Sequence, residues 1–214
     1  MLAALTDFTR EAQEILRNPD NIGWYVVALL ALVLYVYAVE YERRRWDVIF
    51  AGLTVWLADW INEIANALFL HITDRAAVWT VTGETAYLIL IGLTIEISFM
   101  FAVAGVIYVK LLPADRSARI LGMPNRLAVG LMLSISAVAV EVVLRDAGVF
   151  HWDYWWWNWP MVLPIVVLGY LWFFLLAGYV YDLRDTRRQA TGVGAMAAIV
   201  AVAAIVFGVI LEWI

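Results

Sequence analysis

The 214-residue chain contains no cysteine and only two histidines. The first absence excludes disulfide frameworks, thiolate metal centres, cysteine nucleophiles and dithiol redox chemistry. Charge is scarce as well: Asp, Glu, Lys and Arg make up 15% of the residues, against about a quarter in an ordinary soluble domain. The basic residues are scattered and the net charge is −5, so there is no basic stripe and no nucleic-acid partner is expected. Nucleotide and hydrolase motifs are missing too, with no G-x-x-x-x-G-K-[ST], G-x-G-x-x-G or G-x-S-x-G anywhere. No repeat of 20–50 residues is visible.

What is present is grease. Hydrophobic residues make up 65% of the chain and aromatic residues 14%, including 12 tryptophans; the mean hydropathy is +0.84. A single soluble core cannot hide that much apolar surface, so the composition reads as an integral membrane protein. A spanning helix needs about 20 mainly apolar residues, and six such runs occur: 23–41, 47–71, 84–110, 126–148, 160–182 and 190–213. The expected fold is an all-α polytopic bundle, one domain over 23–214, with loops too short for a second. Residues 1–22 read differently. Leu2, Leu5, Phe8, Ala12, Ile15 and Leu16 recur at helical spacing against Asp7, Arg10, Glu11, Glu14 and Arg17, which predicts an amphipathic helix in the membrane interface. It lacks the basic and apolar regions of a removable signal peptide.

Basic residues set the expected orientation. Arg43, Arg44, Arg45, Lys110, Arg116, Arg119, Arg126, Arg184, Arg187 and Arg188 fall on one side, and Arg10, Arg17, Arg75 and Arg145 on the other. The loops near 43, 116 and 187 are therefore placed in the cytoplasm and both termini outside.

Ionisable groups at membrane depth are costly and commonly functional. In the second span, Asp59, Asn62, Glu63 and Asn66 fall within about 100° of one another at helical periodicity, one polar stripe on an apolar helix. Glu96 reads as mid-span in the third run, and Glu141 lies in the outer half of the fourth with Arg145 one turn on. By depth, these four acids can meet in one cavity. A carboxyl buried with no cation nearby favours its neutral form, a proton donor. Two structural alternatives stand beside this: Glu141 and Arg145 as an i,i+4 ion pair, and Asn62 and Asn66 as interhelical hydrogen bonds.

Residues 150–160, FHWDYWWWNWP, hold five tryptophans, including Trp152 and Trp156, beside Tyr154. They read as an interfacial belt, or as a lid over an outward cavity. Rings inside the spans, among them Trp56, Trp60, Tyr87, Phe99, Phe101, Tyr170, Trp172, Phe173 and Phe174, are core packing or cavity walls whose π faces attract cations. His71 and His151 sit near Asp74 and Asp153 at span ends, but neither belongs to an H-x-x-H pair, so no metal and no cofactor is expected.

A buried acid among aromatic rings suits acid-initiated chemistry on an apolar substrate: protonation of an olefin or epoxide, rings stabilising the cation, and water excluded. Two other readings stay open, a proton-coupled carrier using the same acids and a non-catalytic subunit with an aromatic outer loop. The segments LADWINEIANALF (57–69), GLTIEISFMFAVAGVIYVKLLP (92–113) and VLRDAGVFHWDYWWWNWPMVLPIVVLG (143–169) resemble the small integral-membrane terpene cyclases of fungal meroterpenoid and indole-diterpene pathways and their bacterial relatives. The resemblance implies a metal-free bundle that cyclises prenyl chains, in a bacterial plasma membrane, with a hydrophobic isoprenoid or lipid as substrate. It also implies that Glu63, shortly after Trp60, is the proton donor. Two departures accompany it: the family has seven spans, and it has a late-helix acid that LGYLWFFLLAG (168–178) lacks. Glu96 or Glu141 would take that role, with Asp59 beside them. Trp56, Trp60, Asn62, Asn66, Tyr87, Phe99, Trp152, Tyr154, Trp156, Tyr170 and Trp172 are the expected substrate contacts.

Overall fold

Apolar length between charged breaks decides where the helices form. The computed structural model describes residues 5–83 and 85–214; Leu2, and Glu84 at the expected start of the third span, lie outside them. The helices are α1 (Asp7–Ile15), α2 (Tyr25–Glu42), α3 (Trp46–Thr73), α4 (Ile95–Leu111), α5 (Asn125–Asp146), α6 (Trp172–Asp182) and α7 (Thr186–Ala203). A π-helical segment, Ile165–Leu171, leads directly into α6, and another, Ala204–Ile210, continues α7. Among the described residues, five helices are long and apolar enough to cross a membrane. The chain is an all-α membrane bundle. With 17 residues, α4 is the short sixth member.

The central helix is α3, packed against α4, α6 and α7. Its buried face carries Ala51, Gly52, Val55, Ala58, Asp59, Glu63 and Asn66, so small residues admit neighbouring backbones while the polar stripe points inward. One close backbone approach is at Gly105 of α4, where an added Cβ would lie 2.7 Å from the Ala51 carbonyl oxygen. By contrast, α2 and α7 expose most of their apolar surface, the surface that lipid covers.

The third span departs from expectation. Residues 84–110 do not form one helix: Leu88–Leu90 (β2) and Leu93–Thr94 (β3) make a tight hairpin, and the helix starts only at Ile95. Thr94 caps it, its hydroxyl accepting from Ile97 N at 3.2 Å. Glu96 therefore lies in the first turn of α4 instead of mid-span.

Four other short strands complete the β structure of the described residues. Trp79–Val81 (β1) pairs antiparallel with Phe150–Trp152 (β6), matching Trp79 to Trp152 and Val81 to Phe150. Arg119–Ile120 (β4) and Met123–Pro124 (β5) form a hairpin at the opposite end. The β1–β6 ribbon, the β2–β3 hairpin and the Trp155–Trp157 turn build a cap over one end of the bundle. The N-terminal helix docks on this cap, burying Thr9 and Ala12, with Thr6 N bonded to Arg75 O at 3.0 Å and Arg17 N to Leu88 O at 2.9 Å. Trp213 stacks on His71 at the same end, so both termini lie there.

Arginine-rich loops gather at the far end. Asp182 accepts from Arg126 and from Arg116, at 2.9 and 2.8 Å, and Lys110 pairs with the buried Glu40 at 2.5 Å. These ties join α2 to α4, and α5 and the β4–β5 region to α6.

Candidate active site: an acid-lined cavity under the cap

Between α3, α4, α5 and the Ile165–α6 helix, in the half nearer the cap, is a cavity of about 440 Å³. From α3 come Asp59, Asn62 and Glu63; from α5, Leu133, Ser136, Ala137, Val140, Glu141 and Leu144; from α4, Glu96, Ile97, Met100, Phe101 and Ala104. The remaining wall is Ile165, Gly169, Tyr170, Phe173 and Phe174, with Trp79, Gly92, Phe150 and Trp157 from the cap. All four expected acids line this one space. Among the lining residues described, none is basic.

Each acid is held differently. Glu63 Oε1 accepts the indole N–H of Trp79 at 3.0 Å, while its buried Oε2 has no hydrogen-bond partner among the described residues. Glu141 Oε1 accepts from the hydroxyl of Tyr170, and its Oε2 is likewise buried and unpartnered. Asp59, one turn below Glu63 on α3, has its Oδ2 in the same condition. Glu96 contrasts with these: the Tyr25 hydroxyl, the Thr85 hydroxyl (2.7 Å) and Ala86 N (2.6 Å) all donate to it. It works as a clasp that fastens α2 and the 85–86 segment to the start of α4.

The i,i+4 ion pair considered for Glu141 does not form. Arg145 turns to Asp146 at 2.7 Å and lies over the Trp152 ring, leaving Glu141 to Tyr170. The π-helical segment explains how Tyr170 reaches it. A π turn carries an extra residue and rotates the side chains that follow, and the carbonyls it loosens find partners: Asn62 Nδ2 donates to Gly169 O at 3.3 Å and Trp172 Nε1 to Leu168 O at 2.9 Å.

Several expected substrate contacts serve the scaffold. Asn66 is buried, receiving Val78 N at 2.7 Å and donating to Trp79 O at 2.8 Å, which fixes β1 and hence the Trp79 indole. Trp56 and Trp60 both donate to Ser98 Oγ, at 2.9 and 3.3 Å. Tyr154 donates to Ala76 O, Trp156 packs edge-on against Phe69, and Tyr87 reaches the Arg17 carbonyl. Phe99 and Trp172, like these, lie off the cavity wall, as does Trp152, whose buried indole nitrogen makes no hydrogen bond of normal geometry but lies close enough to Glu141 to act on its carboxyl. Of the expected contacts, Asn62 and Tyr170 line the cavity.

Trp79 is a wall residue that sequence reasoning missed, and its partner in the wall is Trp157, from the segment expected to be a belt or a lid. They stack with centroids 5.7 Å apart. Gly92 gives them room, since a Cβ there would fall 2.5 Å from the Trp79 indole and 2.8 Å from Asn66 Nδ2. The one legible signal was Gly92 itself, a backbone break in an apolar run.

The histidines are apart from this site. His151 stacks on Phe8 with centroids 3.6 Å apart and its Nε2 is 2.9 Å from the Thr82 hydroxyl; His71 is exposed against Trp213. Burial holds His151 below the usual histidine range, its charged form penalised despite Asp153 and Glu11 nearby. Burial also lifts the Asp153 carboxyl above its ordinary value.

Fold and cavity together define a polytopic membrane protein with a carboxyl-lined interior. A family model described as an uncharacterized membrane protein family matches residues 6–209, and the chain belongs to that family. A relative from Archaeoglobus fulgidus, described as an uncharacterized protein, is 50% identical over 209 residues, covering 98% of this chain and 99% of its own length. A second protein of that archaeon, with the same description, is 44% identical over 55 residues, 26% of this chain and 98% of its own. No solved structure matches the chain. The bacterial setting that the terpene-cyclase resemblance implied draws no support from these relatives.

Proposed function

We propose that the protein is a membrane-embedded enzyme that acts by acid catalysis on an uncharged isoprenoid or related lipid, most specifically an acid-initiated terpene cyclisation with Glu63 as proton donor. The observation that carries this reading is the set of three carboxyls, the buried Asp59 and Glu63 and the half-buried Glu141, each with a buried oxygen that no hydrogen bond satisfies, at one aromatic-walled cavity. An ionised carboxylate there would have no cation to offset its lost hydration, a cost of several kcal/mol, so the site suits neutral acids. An indole N–H can only donate. Trp79 thus makes Glu63 Oε1 an acceptor, and the acid proton belongs on Oε2.

The reaction balances without a co-reactant. Glu63 gives its proton to an olefin or epoxide, a second double bond attacks the resulting cation to form a carbon–carbon bond, and the final cation loses a proton to the Glu63 carboxylate left by the first step, which restores the acid. Trp79, Trp157, Tyr170, Phe101 and Phe173 supply π faces for the travelling charge. At about 30 Å³ per water-sized group, the 440 Å³ cavity holds roughly fifteen heavy atoms, one prenyl chain and not a two-chain phospholipid. The lack of basic lining residues disfavours diphosphates and fatty carboxylates.

A proton-coupled carrier needs a polar path to the arginine-rich end, but that half is packed with Val106, Tyr108, Val109 and Ala177. A non-catalytic subunit should have a filled interior with every carboxyl oxygen satisfied, whereas Asp59, Glu63 and Glu141 each keep one buried oxygen without a hydrogen bond beside an open cavity. The test is turnover by the full chain in lipid nanodiscs supplied with neutral prenyl olefins and epoxides, with products identified as isomers of equal mass. Glu63→Gln should lower the rate by at least ~100-fold at an unchanged melting temperature. Full activity in that variant, or no isomerisation of any such substrate, would overturn the reading.

A further inference from the structure

The cavity's connection to its surroundings runs sideways. At the far end, α4 and α5 are bound together: the Tyr108 hydroxyl donates to Arg126 O at 3.1 Å, and its ring packs on Phe174. Toward the cap the two helices answer to different anchors. The start of α4 follows the β2–β3 hairpin and is held by the Glu96 clasp, whereas the end of α5 runs into β6, which is paired to β1. Between these two anchors the cavity reaches the surface. Met100 of α4 and Val140 of α5 both line the cavity and are 48% and 51% exposed, and Ser136 beside them is exposed as well. Among the described residues nothing comparable opens upward, because the roof residues Phe150 and Trp157 are buried at 2% and 6% exposure. The floor is closed too, since Phe173 and Phe174 are 1% and 2% exposed.

We infer that the α4–α5 gap is a lateral portal through which a single-chain, uncharged lipid passes from the bilayer leaflet on the cap side into the acid-lined cavity. An opening flanked by Met100 and Val140 at membrane depth faces hydrocarbon, so the molecules that meet it are lipid chains. A flexible methionine at the threshold accommodates chains of differing shape. Ser136 adds no polar barrier, since its hydroxyl donates to Met132 O within its own helix at 2.9 Å. Four carboxyls on the wall and no basic group select against an anionic end. The inference rests on the reading that the cavity takes a lipid, but not on which acid acts or whether it acts at all.

The test uses the full-length protein in nanodiscs and a long-chain alcohol carrying a diazirine, with photolabelled residues mapped by mass spectrometry. Because the chain has no cysteine, the pair Met100→Cys and Val140→Cys can be bridged by a reducible dithiol-reactive linker without side reactions. Both positions are exposed, so the pair leaves the core intact. Labelling of Glu63 and Trp79 is expected in the unbridged protein, to fall at least tenfold on bridging, and to return when the linker is cleaved. Ala137→Trp, filling the gap from α5, should depress the same labels. Cavity labelling that persists in the bridged protein overturns the portal, as does labelling confined to α2 and α7. Photolabelling needs no turnover, so Glu63→Gln that still labels through the gap separates failure of the catalytic reading from failure of the portal.

Discussion

Trp79 reaches down from the first cap strand to donate its indole N–H to Glu63 Oε1 at 3.0 Å. A residue of the cap thus decides which oxygen of a central-helix acid faces the cavity. Trp79→Phe keeps the ring and removes the donor. Stability should fall by about 1–3 kcal/mol, the penalty for leaving a buried carboxyl oxygen unbonded, while turnover falls by at least tenfold as the proton redistributes between both oxygens. Thermal melting with product analysis separates the two effects; an unchanged rate would detach Trp79 from the chemistry.

Gly92 makes that contact sterically possible. Gly92→Ala sets a methyl 2.5 Å from the Trp79 ring, so the indole must shift away from the hairpin. The expected cost is about 1–3 kcal/mol, the range for overpacking a tight site, accompanied by a change in the near-ultraviolet circular dichroism of the tryptophans. A spectrum and melting temperature like those of the parent would show that the hairpin yields instead.

Tyr170 and Glu141 make a sharper pair for energetics. Tyr170→Phe strips Glu141 of its hydroxyl donor and should destabilise by about 1–3 kcal/mol, the penalty for a buried polar atom left unbonded. Combining it with Glu141→Leu should recover most of that loss, since removing both partners is far cheaper than removing one. Simple additivity in a double-mutant cycle would contradict the coupling.

His151 supplies the pH dependence. Its folded-state affinity for protons is below the ordinary histidine value because burial penalises the cation. The unfolded chain therefore takes up the proton first as pH falls. The stability His151 contributes is fully present above about 6.5, and it is lost as pH drops through that value toward the folded one. Asp153 has the opposite sign: raised by burial, it contributes below the ordinary aspartate value and loses that contribution as pH rises through its folded one. Between about pH 7.5 and 5.5 the histidine should loosen the docking of Asp7–Ile15 on the cap, seen as faster hydrogen exchange there after correction for intrinsic rates. His151→Asn should flatten this response. An equal response in the variant would assign it to another group.

Much of this architecture was legible because lipid imposes length. Runs of apolar residues located the helices to within a few positions, and helical periodicity put Asp59 and Glu63 on one face. The third run misled because hydropathy is blind to backbone: LILIGLT is as greasy as a helix, yet Gly92 and the capping Thr94 turn it into a hairpin and move Glu96 to the helix start. Nor could sequence show Trp79 beneath Trp157. A three-residue strand gives no periodicity, and β1 is fixed by tertiary contacts alone, the Asn66 side chain and pairing with β6 some 70 positions later. Whether Arg145 chose Glu141 or Asp146 depended on the direction of one side chain, a choice that i,i+4 spacing leaves open.

The π-helical stretch Ile165–Leu171 separates two requirements that a transmembrane helix ordinarily meets together. Crossing the bilayer depends on length and greasiness, whereas presenting Tyr170 to Glu141 depends on angular phase. One residue removed from this stretch would shorten the helix by about 1.5 Å and rotate the hydroxyl by about 100°, leaving the span intact and the acid without its donor. Insertion into the membrane and assembly of the acid site can therefore be inherited, gained or lost independently, and a single-residue gap at this point in a relative would mark a protein that keeps the bundle without the site.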